Sequence, residues 1–175
     1  HTHNTDTAWT AATSLPGTAG SYYLTQSVSS DWTVPTGGEV NLCLNGQTIS
    51  GSITVGSGAS LTLTDCSDSG RVQGEVLVNG GKFELYSGTI TGGVEVGRHS
   101  NPATGSAFTM YGGAITGNDE SSGSGGGVFL VGTTNQTDPP SFTMHGGTIS
   151  NNTAAASDGG GGGVYVGEKC SFTMD

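Results

Sequence analysis

Three short strings of alternating apolar and polar residues recur in the same order along most of this chain. The first has one residue between two apolar ones, as at 94–96. The second has the form seen at 108–110, and the third has one apolar residue between small polar ones, as at 114–116. Alternation with a period of two is typical of a β-strand with one buried and one solvent-exposed face. The order recurs about six times, the last incompletely.

Strands of three to five residues are too short to be stable alone. If each string pairs with its equivalent in the next repeat, the inward side chains form continuous buried columns. Connections between parallel strands are almost always right-handed, so the sequence predicts an all-β, right-handed parallel β-helix of about six coils. The predicted inward residues are Val34, Leu44, Ile53, Leu63, Val78, Leu85, Ile90, Val96, Phe108, Ile115, Leu130, Phe142, Ile149 and Val166.

The segments between strings predict corners and loops. Glycines that we assign between the second and third strings suit sharp turns with positive φ: Gly46, Gly80, Gly81, Gly88, Gly112, Gly113, Gly146 and Gly147. The first strings lie 18 to 36 residues apart, so the coils differ in length. We expect this variation in projecting, mobile loops at 97–107, 117–127, 132–141 and 151–163, which lack alternation.

The composition alone would favour disorder, since 33 of the 175 residues are glycine and the net charge is −10. The repeats override that expectation. Four Lys and Arg residues against fourteen Asp and Glu make a nucleic-acid or anionic-membrane partner unfavourable, because such binding needs basic side chains. The longest apolar run, at 128–131, is too short for membrane insertion.

Residues 1–30 do not fit the repeat, and we expect them to form an N-terminal cap over the repeat region at 31–175. Trp9 and Ala12 have a helical spacing that predicts a short helix over 6–13, followed by a strand at 22–25. The chain starts at His1 without a signal peptide and stops inside a repeat. We therefore expect an open or truncated C-terminal end and a fragment of a larger protein.

The strings at 41–49, 53–63 and 141–152 resemble the right-handed β-helix repeats of secreted or cell-wall surface proteins of gut Firmicutes, within the pectate-lyase-like superfamily. The resemblance covers roughly residues 20–175. It implies an extracellular, secreted or wall-associated protein with a role in surface display, adhesion or glycan contact. The wider superfamily includes polysaccharide lyases and glycosidases, but none of their signatures is found in this sequence.

The charged residues do not form a catalytic pattern. A lyase of this type needs clustered cations beside acidic ligands, and a glycosidase needs two carboxyl groups about 5 to 9.5 Å apart. The cations Arg71, Lys82, Arg98 and Lys169 fall at different string positions. Glu84 and Glu95 are predicted on different faces, and Glu75 near a turn. We therefore expect no enzyme, with part of a polysaccharide lyase or hydrolase as an alternative.

Two further sets of residues raise questions of metal and thiol chemistry. Oxygen-bearing side chains repeat in two long loops and are candidate Ca²⁺ ligands, although solvated loops with no metal or cofactor are our expectation: Asn118, Asp119, Glu120, Asn151, Asn152 and Asp158. The three cysteines, Cys43, Cys66 and Cys170, lack metal-site spacing. Cys43 is predicted outward in its strand. A Cys43–Cys66 bridge is one alternative, but we expect reduced thiols.

The outward side of the second string is the candidate site. Stacking predicts one rank of Thr62, Glu84, Thr109, Thr143 and Thr173 beside a second of Thr64, Tyr86, Tyr111, His145 and Asp175. We name Tyr86, Tyr111 and His145 the aromatic ladder. With Thr109 and Thr143 it is predicted to stack sugar rings and hydrogen-bond their hydroxyls. The alternative is that the rings only stabilise the fold.

These features favour a non-catalytic extracellular surface module, a rigid stalk that presents a glycan-binding or host-binding face. The competing interpretation is end-to-end self-association into a fibre or oligomer. In that case the exposed apolar side chains of Phe172 and Met174 and the free strand edges of the last repeat would pair with another copy.

Overall fold

The computed structural model describes residues 8–98, 100, 102–120, 126–134, 136–154 and 160–175. These residues contain strands and turns and no helix, so the prediction of an all-β chain is confirmed. Within the same residues we found no helix of the length and apolar character that a membrane crossing requires.

Most strands belong to three parallel sheets and are numbered along the chain. Sheet A contains β1 (Thr10–Ala12), β2 (Gly20–Leu24), β4 (Gly38–Cys43), β7 (Ala59–Thr64), β10 (Lys82–Leu85), β13 (Ala107–Met110), β17 (Ser141–Met144) and β21 (Ser171–Met174). Sheet B contains β5 (Thr48–Ile49), β8 (Arg71–Val72), β11 (Thr89–Ile90), β14 (Ala114–Thr116) and β18 (Thr148–Ser150). Sheet C contains β3 (Trp32–Thr33), β6 (Ile53–Gly56), β9 (Val76–Asn79), β12 (Val94–Gly97), β16 (Val128–Val131) and β20 (Val164–Val166).

The register keeps equivalent residues beside each other. Phe83 pairs with Phe108, Phe108 with Phe142, and Phe142 with Phe172 in sheet A. The three strings therefore correspond to sheets C, A and B in that order, and one strand from each sheet makes up a repeat. Each neighbouring strand in a sheet is the equivalent strand of the next repeat, so every string joins its counterparts, as the sequence predicts.

The core is a set of apolar columns between the three sheets. In sheet A the rings of Phe83, Phe108 and Phe142 are stacked, with centroids 5.0 and 4.6 Å apart. All the predicted inward residues are buried except the last two. Ile149 is half-buried and Val166 is 43% exposed. Val166 keeps the inward register opposite the buried Leu130, but it stays exposed because β20 pairs, among the described strands, with β16 alone.

The N-terminal residues extend sheet A. The helix predicted over 6–13 is wrong for the described part, since residues 10–12 form β1 and pair with β2. Two apolar residues at a helical spacing cannot outweigh the backbone hydrogen bonds that an adjacent strand offers. The predicted strand at 22–25 is found two residues earlier, as β2, and pairs with β4. The buried Trp32 indole donates a hydrogen bond to the Pro16 carbonyl, 2.9 Å away.

Glycine pairs form the corners between sheets A and B in two different ways. At Gly112, a side chain would collide with the Tyr86 carbonyl oxygen, 2.3 Å from the added Cβ. Gly113 instead has a φ of 78°, in the left-handed region that favours glycine. The prediction was wrong for Gly80 and Gly81, which separate β9 from β10 and so lie between sheets C and A.

Two of the predicted loops contain a fourth, two-stranded sheet. β15 (Asp119–Glu120) pairs in parallel with β19 (Thr153–Ala154). The expected lack of regular structure at 117–127 and 151–163 is therefore wrong at these strands. The pairing is supported by Asn152, whose Oδ1 accepts hydrogen bonds from Asn118 N at 3.1 Å and Nδ2 at 2.7 Å. Its Nδ2 donates to the Ile115 carbonyl at 3.0 Å. The mobility of the four loops stays a prediction.

Replacing Asn152 by alanine should lower the free energy of unfolding by about 2 kcal/mol, because Asn118 is buried and would lose its partner. Urea denaturation measures this loss. The matched control is Asn151→Gly, since Asn151 is exposed and its φ of 55° suits glycine. A control that loses as much stability as Asn152→Ala would show that the loop backbone, rather than the Asn152 side chain, is responsible.

Candidate functional site

The outer face of sheet A carries the two predicted ranks. Thr62, Glu84, Thr109 and Thr143 occupy paired positions on neighbouring strands, so the structure brings Thr109 and Thr143 side by side. Both of these threonines are half-buried. The Thr62 hydroxyl donates to Glu39 Oε1 at 3.0 Å. The rank is therefore a row of hydroxyl and carboxylate groups across the sheet.

The aromatic ladder lies at the end of the same strands. Ring centroids are 4.5 Å apart for Tyr86 and Tyr111 and 5.1 Å apart for Tyr111 and His145, with interplanar angles of 20° and 17°. His145 Nδ1 lies 2.7 Å from Asp175 Oδ2. The structure thus assembles the predicted residues, and Asp175 closes the ladder at one end.

Backbone pairing holds the rings in this stack. Each ladder residue directly follows a strand of sheet A and donates its backbone N–H to the preceding repeat. Tyr86 donates to Leu63, Tyr111 to Leu85 and His145 to Met110, at 3.0, 2.8 and 2.8 Å. The rings therefore follow each other at the spacing of neighbouring strands, about 4.8 Å.

The stacking changes what the ladder can offer a ligand. Tyr111 lies between Tyr86 and His145, so both faces of its ring are covered. The exposed fractions, 46% for Tyr86 and 42% for Tyr111, belong to the parts of the rings that the stack leaves open. The expectation that sugar rings stack on the face of each rung is therefore wrong for Tyr111. Ring edges and hydroxyl groups are available instead.

Neighbouring groups also affect the Tyr86 hydroxyl. Partial loss of solvent, then the charge of Glu84 and the proximity of Tyr111, raise the pKa of Tyr86. The hydroxyl of a tyrosine is protonated at neutral pH and can donate a hydrogen bond. This places a donor and a carboxylate acceptor beside each other on the outer face.

A second pair of outward rings lies on sheet C. The centroids of Phe129 and Tyr165 are 5.1 Å apart, with planes inclined at 51°, and both residues are half-buried. Leu77, at the equivalent outward position of β9, is buried. This face is therefore more enclosed than the ladder.

Sheet C also contains an acidic pair that the sequence did not indicate. Glu95 lies in β12, and Glu75 directly precedes the neighbouring β9. Burial, followed by the charge of Glu75 and a hydrogen bond with it, raises the pKa of Glu95 from 4.5 to about 7, while Arg98 opposes the shift. The prediction that Glu84 and Glu95 lie on different faces is confirmed, since they belong to sheets A and C. Glu75 was expected near a turn, without this contact.

Replacing Glu95 by glutamine should stabilise the protein at pH 8 and have little effect at pH 4. The folded-state pKa of Glu95 is raised, so between pH 4.5 and about 7 the folded state holds more protons than the unfolded state. Stability therefore falls as pH rises through this window, and glutamine removes the loss. Solvent screening limits the gain to about 1 kcal/mol, measured by denaturation at both pH values. An equal gain in stability at pH 4 and pH 8 would contradict the raised pKa of Glu95.

The charged groups fall on different sheets. Arg71 lies in sheet B and Lys82 in sheet A, while Arg98 follows β12 of sheet C. Lys169 lies between β20 and β21, where its ammonium donates to the Thr134 carbonyl.

Most of the Ca²⁺ candidates lie in the part of the chain that the structure describes. Asp119 is exposed at the start of β15, which also contains Glu120, and Asp158 lies outside the described residues. In the part of the chain that the structure describes, His, Cys, Asp and Glu residues do not form a group of three or more suited to a metal ion.

The thiols differ in their surroundings. Cys43 was predicted outward, but its side chain is fully buried, because Cys66 covers the outer side of β4 with its Sγ 3.1 Å from Cys43 Sγ. Burial, followed by the hydrogen bond with Cys66, raises the pKa of Cys43 to about 12. Cys170 is half-buried, and burial raises the pKa of its thiol.

A shallow cavity of about 360 Å³ lies at the start of sheet A. Its lining includes Lys82 and Ser60 together with the backbone of several glycines. Lys82 begins β10 and Tyr86 directly follows it, so the cavity lies where the strands of sheet A begin and the ladder where they end, roughly 13 Å away.

No family model matches the chain, and no match was found among curated proteins or solved structures.

Proposed function

We propose that this chain is a right-handed parallel β-helix and acts as a non-catalytic extracellular surface module, a rigid stalk whose sheet A face binds a glycan. The fold part of the proposal is supported by parallel strands that follow chain order in all three sheets. The extracellular assignment is supported by the resemblance of the repeats to those of bacterial surface proteins.

The aromatic ladder is the observation that carries the binding proposal. Tyr86 and Tyr111 are exposed although buried columns already stabilise the repeats, and they lie beside the Thr109 and Thr143 rank. Because the rings cover each other's faces, the ligand meets ring edges and hydroxyls. A saccharide suits this surface, since its hydroxyls donate and accept hydrogen bonds and its C–H groups contact the edges. Successive rungs then contact successive parts of one chain.

Replacing Tyr111 by alanine should abolish most saccharide binding, and Tyr111→Phe should weaken it about fivefold to tenfold by removing one hydroxyl. A glycan array with the purified chain identifies the ligand, and calorimetry with that glycan at increasing length measures affinity. Affinity should rise with length as more rungs are contacted.

Tyr165→Ala is the matched control, because it removes the same side chain from sheet C. It should leave saccharide affinity unchanged. If the array retains nothing, or if Tyr111→Phe binds as well as the wild type, the proposed use of the ladder is wrong. A Tyr111→Ala variant that loses stability but keeps its ligand would assign the rings a structural role alone.

End-to-end self-association is the second candidate, because the outermost described strands present apolar side chains. Met174 is 69% exposed, and Phe172 and Val166 are exposed as well. Sedimentation velocity should then show concentration-dependent association that Phe172→Ser together with Met174→Ser removes. Association that persists in the double variant would exclude this end as the contact. The third interpretation, part of a polysaccharide lyase or hydrolase, is less well supported by the dispersed charges.

A further inference from the structure

Two cysteines from consecutive repeats face each other on the outside of sheet A. Cys43 ends β4, and Cys66 follows β7, the neighbouring strand of the next repeat. Their sulfur atoms are 3.1 Å apart. A disulfide bond is about 2.05 Å long, so the two sulfur atoms need to approach by only about 1 Å. Cys170 belongs to the last described repeat and serves as an internal reference.

We propose that Cys43 and Cys66 form an intramolecular disulfide when the protein meets a low-molecular-weight disulfide such as oxidised glutathione. In the first step the Cys66 thiolate attacks the oxidant, forming a mixed disulfide and releasing one glutathione thiolate. The Cys43 thiolate then attacks the Cys66 sulfur and releases the second glutathione. Two protein thiols are oxidised, one oxidant molecule is reduced to two thiols, and the two protein protons pass to these thiols or to solvent.

Exposure decides the order of the two steps. Cys66 is exposed and accessible to the oxidant, whereas Cys43 is fully buried and is reached through Cys66. Burial also raises the pKa of Cys43, so its thiolate is scarce at neutral pH. Closure of the bridge should therefore be the slow step, and its rate should rise with pH between 7 and 9.

The bridge has a structural consequence for the repeats that it joins. It would tie β4 to the segment after β7 and close a loop of one whole repeat in the unfolded chain. The bridge lowers the conformational entropy of the unfolded chain, which stabilises the folded state relative to the unfolded one. Oxidation should therefore raise the melting temperature by roughly 5–10 °C, and reduction should reverse the change.

The test treats the whole chain with oxidised glutathione at pH 8.5 and counts free thiols by reaction with a chromogenic thiol reagent. Three thiols should fall to one, and peptide mapping by mass spectrometry should find Cys43 joined to Cys66. Cys170→Ser should keep the bridge and the rise in melting temperature. Cys66→Ser should abolish both, and because Cys66 is exposed this variant is expected to fold.

Three results would overturn the proposal. The first is a thiol count that stays at three, and the second is a disulfide bond that includes Cys170. The third is glutathione that remains attached to Cys66 at pH 9 without forming the Cys43–Cys66 bond. Cys43→Ser places a hydroxyl group at a buried position and can disturb the fold, so it is a secondary test. Its outcome counts only if its circular dichroism matches that of the wild type, in which case glutathione should accumulate on Cys66.

Discussion

Replacing Phe108 by alanine should lower the free energy of unfolding by about 3–5 kcal/mol. The Phe108 ring is 1% exposed and stacked between Phe83 and Phe142, with interplanar angles of 12° and 5°. Its removal leaves a cavity in the middle of the column, and the backbone pairs on both sides prevent the two neighbouring rings from closing it. Chemical denaturation at a fixed pH measures the loss.

Tyr111→Ala is a sharp control for this prediction. Tyr111 is also stacked between two rings and lies in the same repeat, three residues after Phe108, but it is on the outer face and 42% exposed. Its removal leaves no cavity in the core, so the free energy of unfolding should fall by only about 1 kcal/mol. Equal losses for the two variants would mean that ring stacking, and not burial, holds the repeats together.

The strands and their inward faces could be predicted because each depends on local alternation. Phe108, Thr109 and Met110 alternate in the sequence, and a period of two leaves only one way to bury both apolar side chains. The strand register could also be predicted, since a slip of one residue between β10 and β13 would expose Phe108. For the same reason the sequence predicts the outward positions of Thr109 and Tyr111.

Contacts on the outer face could not be predicted in this way. Alternation says that Cys43, Leu77 and Glu95 point outward, but it does not say what covers them. Cys43 and Leu77 are buried and Glu95 is half-buried, and for Cys43 the contact comes from Cys66 of the next repeat, with the two Sγ atoms 3.1 Å apart. The pairing of β15 with β19 was missed because two-residue strands carry no measurable alternation.

The ladder was predicted in position but not in orientation. The spacing of Tyr86 and Tyr111 indicates that they are neighbours, yet side-chain torsions decide whether their faces point outward or toward each other. The nearly parallel planes of the two rings show that the faces are used within the stack. The binding hypothesis therefore rests on ring edges and hydroxyls, and Tyr111→Phe tests it directly because it removes only the hydroxyl.

Replacing Gly74 by alanine should lower the free energy of unfolding by about 3 kcal/mol or more. Gly74 joins β8 to β9, and an added methyl group would lie 2.2 Å from the Gly51 carbonyl oxygen of the preceding repeat. Gly51 and Gly92 occupy the equivalent corners, and each has the same kind of contact with the backbone before it. The φ of Gly74 is not in the left-handed region, so close approach, rather than backbone freedom, requires glycine here.

Gly56→Ala separates these two causes. Gly56 ends β6, has no positive φ, and has no atom within 4 Å of an added methyl group. Alanine should leave stability unchanged or raise it by about 0.4–1 kcal/mol, because it restricts the unfolded chain. The Gly74 variant should unfold at a clearly lower urea concentration than both the wild type and Gly56→Ala. If both variants are equally stable, the corners between sheets B and C can open to admit a methyl group, and the spacing of the repeats is set elsewhere.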